Sequence, residues 1–260
     1  MFQVAVLASG SKGNAFLVRT NKTKILVDVG LSGKKLFGLM DKLDLSKDKI
    51  SAIIISHEHS DHVKGAGVVC RKLKIPLYIS KHTYFASKKK INKVDEIHYF
   101  NTSEKFIIDD LEILPFQSSH DAVDSHNFIL QQENNHEQKL GIITDLGYAT
   151  KLHNLRLKNV TTILLESNHD PKLLLDGPYP WELKQRVKGR NGHLSNEQAV
   201  GLITNIMSPV LKNIILVHLS ETNNKPNIAY STMKNYLDSL KSTIFVCVSS
   251  QYEPTKIFDV

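Results

Sequence analysis

Two scarcities frame this chain of 260 residues. Long apolar runs are missing. The strongest ones, at Ala52–Ile55, Ile163–Leu165 and Ile214–Val217, are strand-sized, far below the roughly 18–20 residues that a bilayer-spanning helix needs. Insertion into a membrane is therefore not expected. Cysteine is the second scarcity. The chain has 2, Cys70 and Cys247, and they form no CxxC pair. That excludes a disulfide framework and points to a reducing, cytoplasmic setting. The amino terminus, Met1-Phe2-Gln3-Val4, lacks the basic stretch and apolar core of a secretion signal. No linker, low-complexity tract or sequence repeat interrupts the chain, so one domain over residues 1–260 is expected.

With 41% apolar residues, disorder is excluded. The formal charge of +7 permits an anionic partner such as nucleic acid but does not demand one. The abundant feature is histidine, with 12 copies.

Periodicity and turn residues divide the chain into alternating elements. Phe2–Ala8 reads as a strand ending at the turn Ser9–Asn14. Ala15–Arg19 and Lys24–Val29 read as a hairpin about Asn21-Lys22. Ser32 to Leu43 has helical spacing, and Ser51–Ile55 is a buried strand. The middle yields helices over Val63–Leu73 and Thr83–Lys90. Its strands are Pro76–Ser80, Lys105–Ile108, Leu111–Gln117, Asn127–Gln132 and Leu140–Thr144, with a turn at Asn134-Asn135. The last third gives strands Thr161–Glu166, Asn213–Leu219 and Thr243–Val248. Helices are expected at Trp181–Val187, Asn196–Met207 and Ile228–Leu240. Ser195 and Gln198 fit a capping box. The fold class expected is α/β, an αββα sandwich of two mixed sheets flanked by helices.

His57-Glu58-His59-Ser60-Asp61-His62 follows directly after a buried strand. Four imidazole and carboxylate donors at His57, His59, Asp61 and His62 suit zinc, manganese or iron. The plain alternative is a solvated loop with chance histidines, and the density of donors tells against it.

These residues resemble the His-x-His-x-Asp-His signature of the metallo-β-lactamase-fold hydrolases. The resemblance implies further ligands at strand ends, and His120, Asp145 and His218 fill those slots. It also implies a buried structural Asp, matched by Asp28. Closer matches run over nearly the whole chain. Leu7–Asn14, Asp28–Lys35, Glu166–Asp170, Tyr179–Trp181, Gly192–Asn196 and His218–Asn224 resemble the bacterial YycJ (WalJ) family. Leu146 departs from an expected Thr, and the segment after Leu240 matches least. The family implies a metal-dependent DNA exonuclease acting from 5′ ends and tied to cell-wall signalling operons in some bacteria. The implied chemistry is attack on phosphorus by a hydroxide held between two divalent ions, Zn or Mn with Fe also suited. His57, His59 and His120 would hold one ion and Asp61, His62 and His218 the other, with Asp145 between them. Asp61 would also orient the hydroxide.

His193 lies just before the Ser195 cap, where free N–H groups would favour a phosphate. His193-Leu194-Ser195 resembles the motif of phosphodiesterase branches of the superfamily, which gives His193 a catalytic role on the scissile phosphate or leaving oxygen. The plain reading is packing on the helix start. His169 reads equally as a residue behind the metals or a loop histidine, and Asn223 as a phosphate contact or not. Ser9–Asn14 reads as a glycine turn or a loop beside the site, and Lys88–Lys90 as a solvated helix face. His82, His98, His126, His136 and His153 are assigned to the surface.

Two other functions stay open. Thioester and lactone hydrolases of this fold use the same centre on a carbonyl. A non-catalytic metal-binding regulator is the third class, disfavoured because all seven ligand positions are filled. The tRNA 3′-processing branch carries a Gly-rich arm not found here. The inserted domain of the RNA-processing branch has no room between Asp145 and His218. The β-lactamases proper lack the equivalent of His62. If the chain is a nuclease, lysines are expected beside His193 and the metals. Oligomeric state is not visible in the sequence.

Overall fold

The structure, a computed structural model, describes residues 1–45 and 50–260. The chain opens with β1 (Phe2–Ala8), β2 (Ala15–Thr20) and β3 (Lys24–Val27) as an antiparallel meander. Helix α1 (Gly33–Asp41) leads to β4 (Ala52–Ile54). Then come α2 (Ser60–Val63), α3 (Ala66–Leu73), β5 (Leu77–Ser80), α4 (Lys81–Ile91) and β6 (Ile97–Phe100). A second meander follows in β7 (Phe106–Ile108), β8 (Leu111–Gln117), β9 (His126–Gln132) and β10 (Asn135–Ile143). The remainder is α5 (Lys151–Arg156), β11 (Thr162–Glu166), α6 (Pro171–Asp176), α7 (Trp181–Lys188), α8 (Asn196–Ile206), β12 (Asn213–Val217), α9 (Pro226–Ser239), β13 (Phe245–Val248) and β14 (Phe258–Asp259).

Among the described residues there are two seven-stranded sheets, ordered β14-β1-β2-β3-β4-β5-β6 and β13-β12-β11-β10-β9-β8-β7. Both are mixed in the same way. Antiparallel pairing on the meander side gives way to parallel pairing at β3/β4 and at β10/β11. The architecture thus repeats where the sequence does not.

Strand alternation explains the layers. Phe16, Val18, Ile25, Val27, Ile54, Leu164, Ile215 and Val217 point between the sheets into one shared core. Leu17, Leu26 and Ile53 point outward under α1, α3 and α4. Ile163, Leu165, Ile214 and Leu216 do so under α8 and α9. Strands buried on both faces read as continuous apolar runs, and the αββα sandwich follows.

Several expectations change. The helix expected over Val63–Leu73 is two, α2 and α3, broken at Lys64-Gly65. A Cβ on Gly65 would sit 1.9 Å from the Leu31 carbonyl oxygen, and the Gly65 N–H donates to Val29 O. That docking turns the chain. Strands β6 and β14 and helices α5 and α6 were not anticipated. The turn expected at Asn134-Asn135 sits one residue earlier, with Asn135 opening β10. Both cysteines are free, and no helix among the described residues is long and apolar enough to cross a membrane.

His82, His98 and His136 are exposed as expected, but His126 and His153 are buried at about 1% exposure. His126 packs edge-on to Phe100 and bonds Thr102 Oγ1 at 2.7 Å. His153 caps α5. Its Nδ1 accepts the Thr150 N–H at 3.2 Å, and its ring meets Phe116 edge-on. Burial lowers its pKa to about 4. An unfolded histidine protonates near 6.5, so the unfolded chain takes up the proton first. Stability therefore falls as pH drops from about 6.5 to 4. In denaturant titrations the parent should lose about 2 kcal/mol more than His153→Gln between pH 7 and pH 5. Equal losses would remove His153 from the account.

Candidate metal centre

The site lies where strands of both sheets end on one edge, the usual place for ligands in open α/β sheets. The ends of β3, β10 and β12 are made by Asp28, Asp145 and His218, with φ of 60°, 52° and 57°. Non-glycine residues in this left-handed region are costly and persist only when their surroundings hold them. At each end the turn sends a polar side chain into the cleft, where an extended strand would carry it past.

The His57–His62 segment leaves β4 and is clamped from two sides. Asn14 N donates to Asp61 O at 2.7 Å, and Val29 N to His62 O at 2.8 Å. A Cβ on Gly30 would lie 1.6 Å from the Asp61 carbonyl oxygen, so only glycine allows this approach. The Ser9–Asn14 segment is both a glycine turn and a loop beside the site. Asn14 Nδ2 stands 3.3 Å from Asp61 Oδ2 and 3.0 Å from His62 Nε2.

Three of the rings, His62, His120 and His218, are aimed through Nδ1. His62 Nδ1 bonds Asp28 Oδ2 at 2.7 Å, and Asp28 also accepts from the Ser56 N–H and hydroxyl at 2.8 Å each. His120 Nδ1 bonds Gly192 O at 3.1 Å, and His218 Nδ1 bonds Glu166 Oε1 at 2.8 Å. Nδ1–H donation fixes the tautomer and leaves Nε2 for a cation.

Glu166 was not anticipated as a site residue. It is fully buried at the end of β11. Its Oε1 accepts from His193 and His218, each at 2.8 Å. Its Oε2 accepts from the Leu146 and Leu194 N–H groups at 2.9 and 3.1 Å. Burial pulls this carboxyl up, but His193 and the hydrogen bonds overcome it and hold the pKa at about 2. Leu146 contributes its backbone N–H to Glu166, while its side chain is buried in the core beneath α8.

The donors converge. His57, His59 and His120 bring ligand atoms within 4.8 Å of one another, as do Asp61, His62 and His218, and also His57, His62 and Asp145. Asp145, Glu166, His193 and His218 form a further such group. Buried Nε2 atoms of His57 and His218 and Oδ2 of Asp145 have no hydrogen-bond partner. His62 Nε2 is 3.1 Å from that Asp145 oxygen, close enough to attract it but outside hydrogen-bond geometry. Buried polar atoms are almost always satisfied. Borderline cations placed within these donor groups would satisfy the three atoms, so the residues fit divalent metal.

A cavity of about 330 Å³ opens onto these groups, walled by Ser11, His59, Asp61, His120, Asp121, Asp145, Arg186, His193 and His218. Among the described residues the expected lysines do not line it, and the one Lys or Arg in its wall is Arg186, paired with Asp121. Lys184 and Lys188 stand in the neighbouring recess with His169 and Trp181. His169 is 2% exposed and faces that recess, and Asn223 is fully buried outside the cavity wall. The free N–H groups expected before α8 are spent. Asn196 N donates to His169 O, Gln198 N to Ser195 Oγ, and Ser195 N to Gln198 Oε1. The acidic Glu197 in the first turn adds repulsion to a phosphate. His193 itself remains at the cavity wall. Lys88–Lys90 is exposed as expected, with the Lys90 ammonium donating to Glu58 O.

Burial works against the charge on His62 and His218, yet Asp145 and the other facing carboxylates raise both, His218 to about 10. Metal-free, these rings hold protons that balance Asp61, Asp145 and Glu166. A cation must displace them. Calorimetric titration with zinc at pH 7, repeated in buffers of different ionisation enthalpy, should show release of about two protons per chain. Asp145→Asn should reduce both binding and release. Binding with no buffer-dependent heat would contradict this charge balance.

The comparisons with known proteins agree with this geometry. Residues 8–132 match the model of the metallo-beta-lactamase superfamily. Exodeoxyribonuclease WalJ of Streptococcus pneumoniae is 38% identical, over 91% of this chain and 88% of its own length. Exodeoxyribonuclease YycJ of Bacillus anthracis is 36% identical, over 90% of this chain and 88% of its own. The crystal structure of the metallo-beta-lactamase fold protein YhfI from Bacillus subtilis superposes with a TM-score of 0.73 at 14% identity, covering 98% of each chain, and bears on the fold alone. The chain belongs to the metallo-beta-lactamase superfamily and, within it, to the family of WalJ and YycJ.

Proposed function

We propose that this chain is a dinuclear metal phosphodiesterase that degrades DNA from an end, in the 5′-to-3′ direction that the family resemblance implies. The observation that carries it is the set of seven donors gathered on one strand edge, with a protonatable histidine beside them. His57, His59 and His120 would hold one ion and Asp61, His62 and His218 a second, with Asp145 available to both. Two divalent ions, Zn or Mn with Fe also suited, supply Lewis acidity and lower the pKa of a water so that it is a nucleophile at neutral pH.

Asp61 is 23% exposed at the cavity wall. Burial works against its charge, but His62 and the His218 ring, whose Nε2 stands 3.5 Å from Asp61 Oδ2, hold its carboxyl far below the usual range, so it stays an acceptor. It takes a hydrogen bond from the attacking water and orients it. His193 does the opposite task. Burial lowers its pKa, but the Glu166 carboxylate at 2.8 Å overrides that and raises it. With Nδ1 committed to Glu166, its Nε2–H is the proton available to the phosphate or the leaving oxygen. Glu166 therefore positions His193 and His218 together. Arg186 adds positive charge on the opposite wall. The free cysteines fit a reducing compartment, and we place the protein in the cytoplasm.

One assay separates the possible chemistries. Purified protein with manganese or zinc is given end-labelled duplex DNA, bis(p-nitrophenyl) phosphate, and a lactone or thioester. Both phosphodiesters should be cleaved. Asp61→Ala should lower turnover by roughly 10³-fold or more, and His193→Ala by roughly 10²–10⁴-fold, with the fold retained. Cleavage of the ester alone would falsify the nuclease reading. Metal binding without cleavage of any substrate would favour a regulator.

A further inference from the structure

A second cavity is larger than the metal cavity. It is a recess of about 590 Å³ between α1 and the carboxyl-terminal segment, and the mechanism leaves it unused. Its volume is in the range of small-ligand pockets. Leu31 and Leu39 give it an apolar floor, and Tyr252, 56% exposed, gives it an aromatic ring. Lys12, Lys34, Lys35 and Lys42 surround it, and no carboxylate among the described residues lines it. Lys12 and Lys42 are paired with Glu221 and Glu253 at 2.6 Å. Lys34 and Lys35 are exposed, and no ion pair engages either among the described residues.

The chain passes from the metal centre to the recess at two places. Ser11 lines the metal cavity, and its neighbour Lys12 lines the recess. Leu31 in the floor follows Gly30, the residue packed against the Asp61 carbonyl. Lys12 and Leu31 thus place the cationic, aromatic recess next along the chain to residues at the metal centre. Cationic side chains tracking phosphates with an aromatic face for a base is the chemistry of single-strand binding. A duplex is too wide for such a recess.

We propose that this recess is a subsite for the single-stranded flank of the DNA substrate, with Lys34 and Lys35 on its phosphates. The inference rests on the nuclease reading above and names where the strand adjoining the scissile phosphate runs. Gly38 offers a clean probe. It lies on α1 in the wall of the recess, and an added Cβ there meets no atom within 4 Å. Gly38→Leu improves helix propensity while filling the space.

The test uses the manganese-loaded full chain with a fluorescent single-stranded oligothymidylate, and bis(p-nitrophenyl) phosphate as a substrate too small to reach the recess. Gly38→Leu and the double variant Lys34→Gln/Lys35→Gln should each raise KM for the oligonucleotide about tenfold, with kcat and bis(p-nitrophenyl) phosphate turnover retained. The double variant should also flatten the dependence of log KM on log salt by about 1.4, the loss of two single-strand phosphate contacts. An unchanged KM in both variants, with the parent active on both substrates, overturns the subsite alone. An equal loss on both substrates also overturns it. A parent that cleaves bis(p-nitrophenyl) phosphate and end-labelled duplex DNA but not the oligonucleotide overturns the subsite alone, and one that cleaves neither DNA overturns the nuclease reading and the subsite with it.

Discussion

The rest of the site depends on one buried negative charge. Asp145 stands at 2% exposure in a left-handed turn at the end of β10, with His62, His120, His193 and His218 around it. A carboxylate so placed is costly unless compensated. Compensation comes from imidazoles supplied by both sheets, and in the working state from cations in place of their protons. The same charge that is costly to bury alone favours a divalent cation among these donors.

Two further carboxylates organise what surrounds Asp145, one from each sheet. Asp28, ending β3, fixes His62 through Nδ1 and ties down Ser56 at the start of the ligand loop. Glu166, ending β11, fixes His218 and His193 through the same nitrogen. The two sheets share one strand scheme, and each lends a buried acid from its parallel half to orient histidines. The acid behind Glu166 is the sharper device. One oxygen holds both a metal-side ring and the ring assigned to proton donation, so binding and proton transfer are positioned together.

Legibility in the sequence followed the reach of the interaction. His57, His59, Asp61 and His62 are contiguous, so their chemistry could be read directly, and His120, Asp145 and His218 follow from strand ends plus the family pattern. Glu166 escaped because its four donors come from residues 146, 193, 194 and 218, which only folding brings together. Asn14 escaped for the same reason, its partners Asp61 and His62 being distant in sequence. His153 was assigned to the surface because nothing local distinguishes a capping histidine under Phe116 from a solvated one. The two-sheet sandwich was legible from apolar runs buried on both faces. Edge strands β6 and β14 and the six-residue helices α5 and α6 were not, since they are too short for a period to emerge. The N–H groups before α8 were thought open to phosphate, whereas the capping box that marks this helix start is what consumes them.

The central claim is that Asp145 sits between two cations held by separate histidine sets. Anomalous diffraction at the metal edge, from crystals grown with zinc or manganese, tests it most directly. Two peaks are expected about 3.5–4 Å apart, one against His57, His59 and His120 and the other against Asp61, His62 and His218, with the Asp145 carboxylate between them. A single peak, or peaks that leave Asp145 unligated, would contradict it.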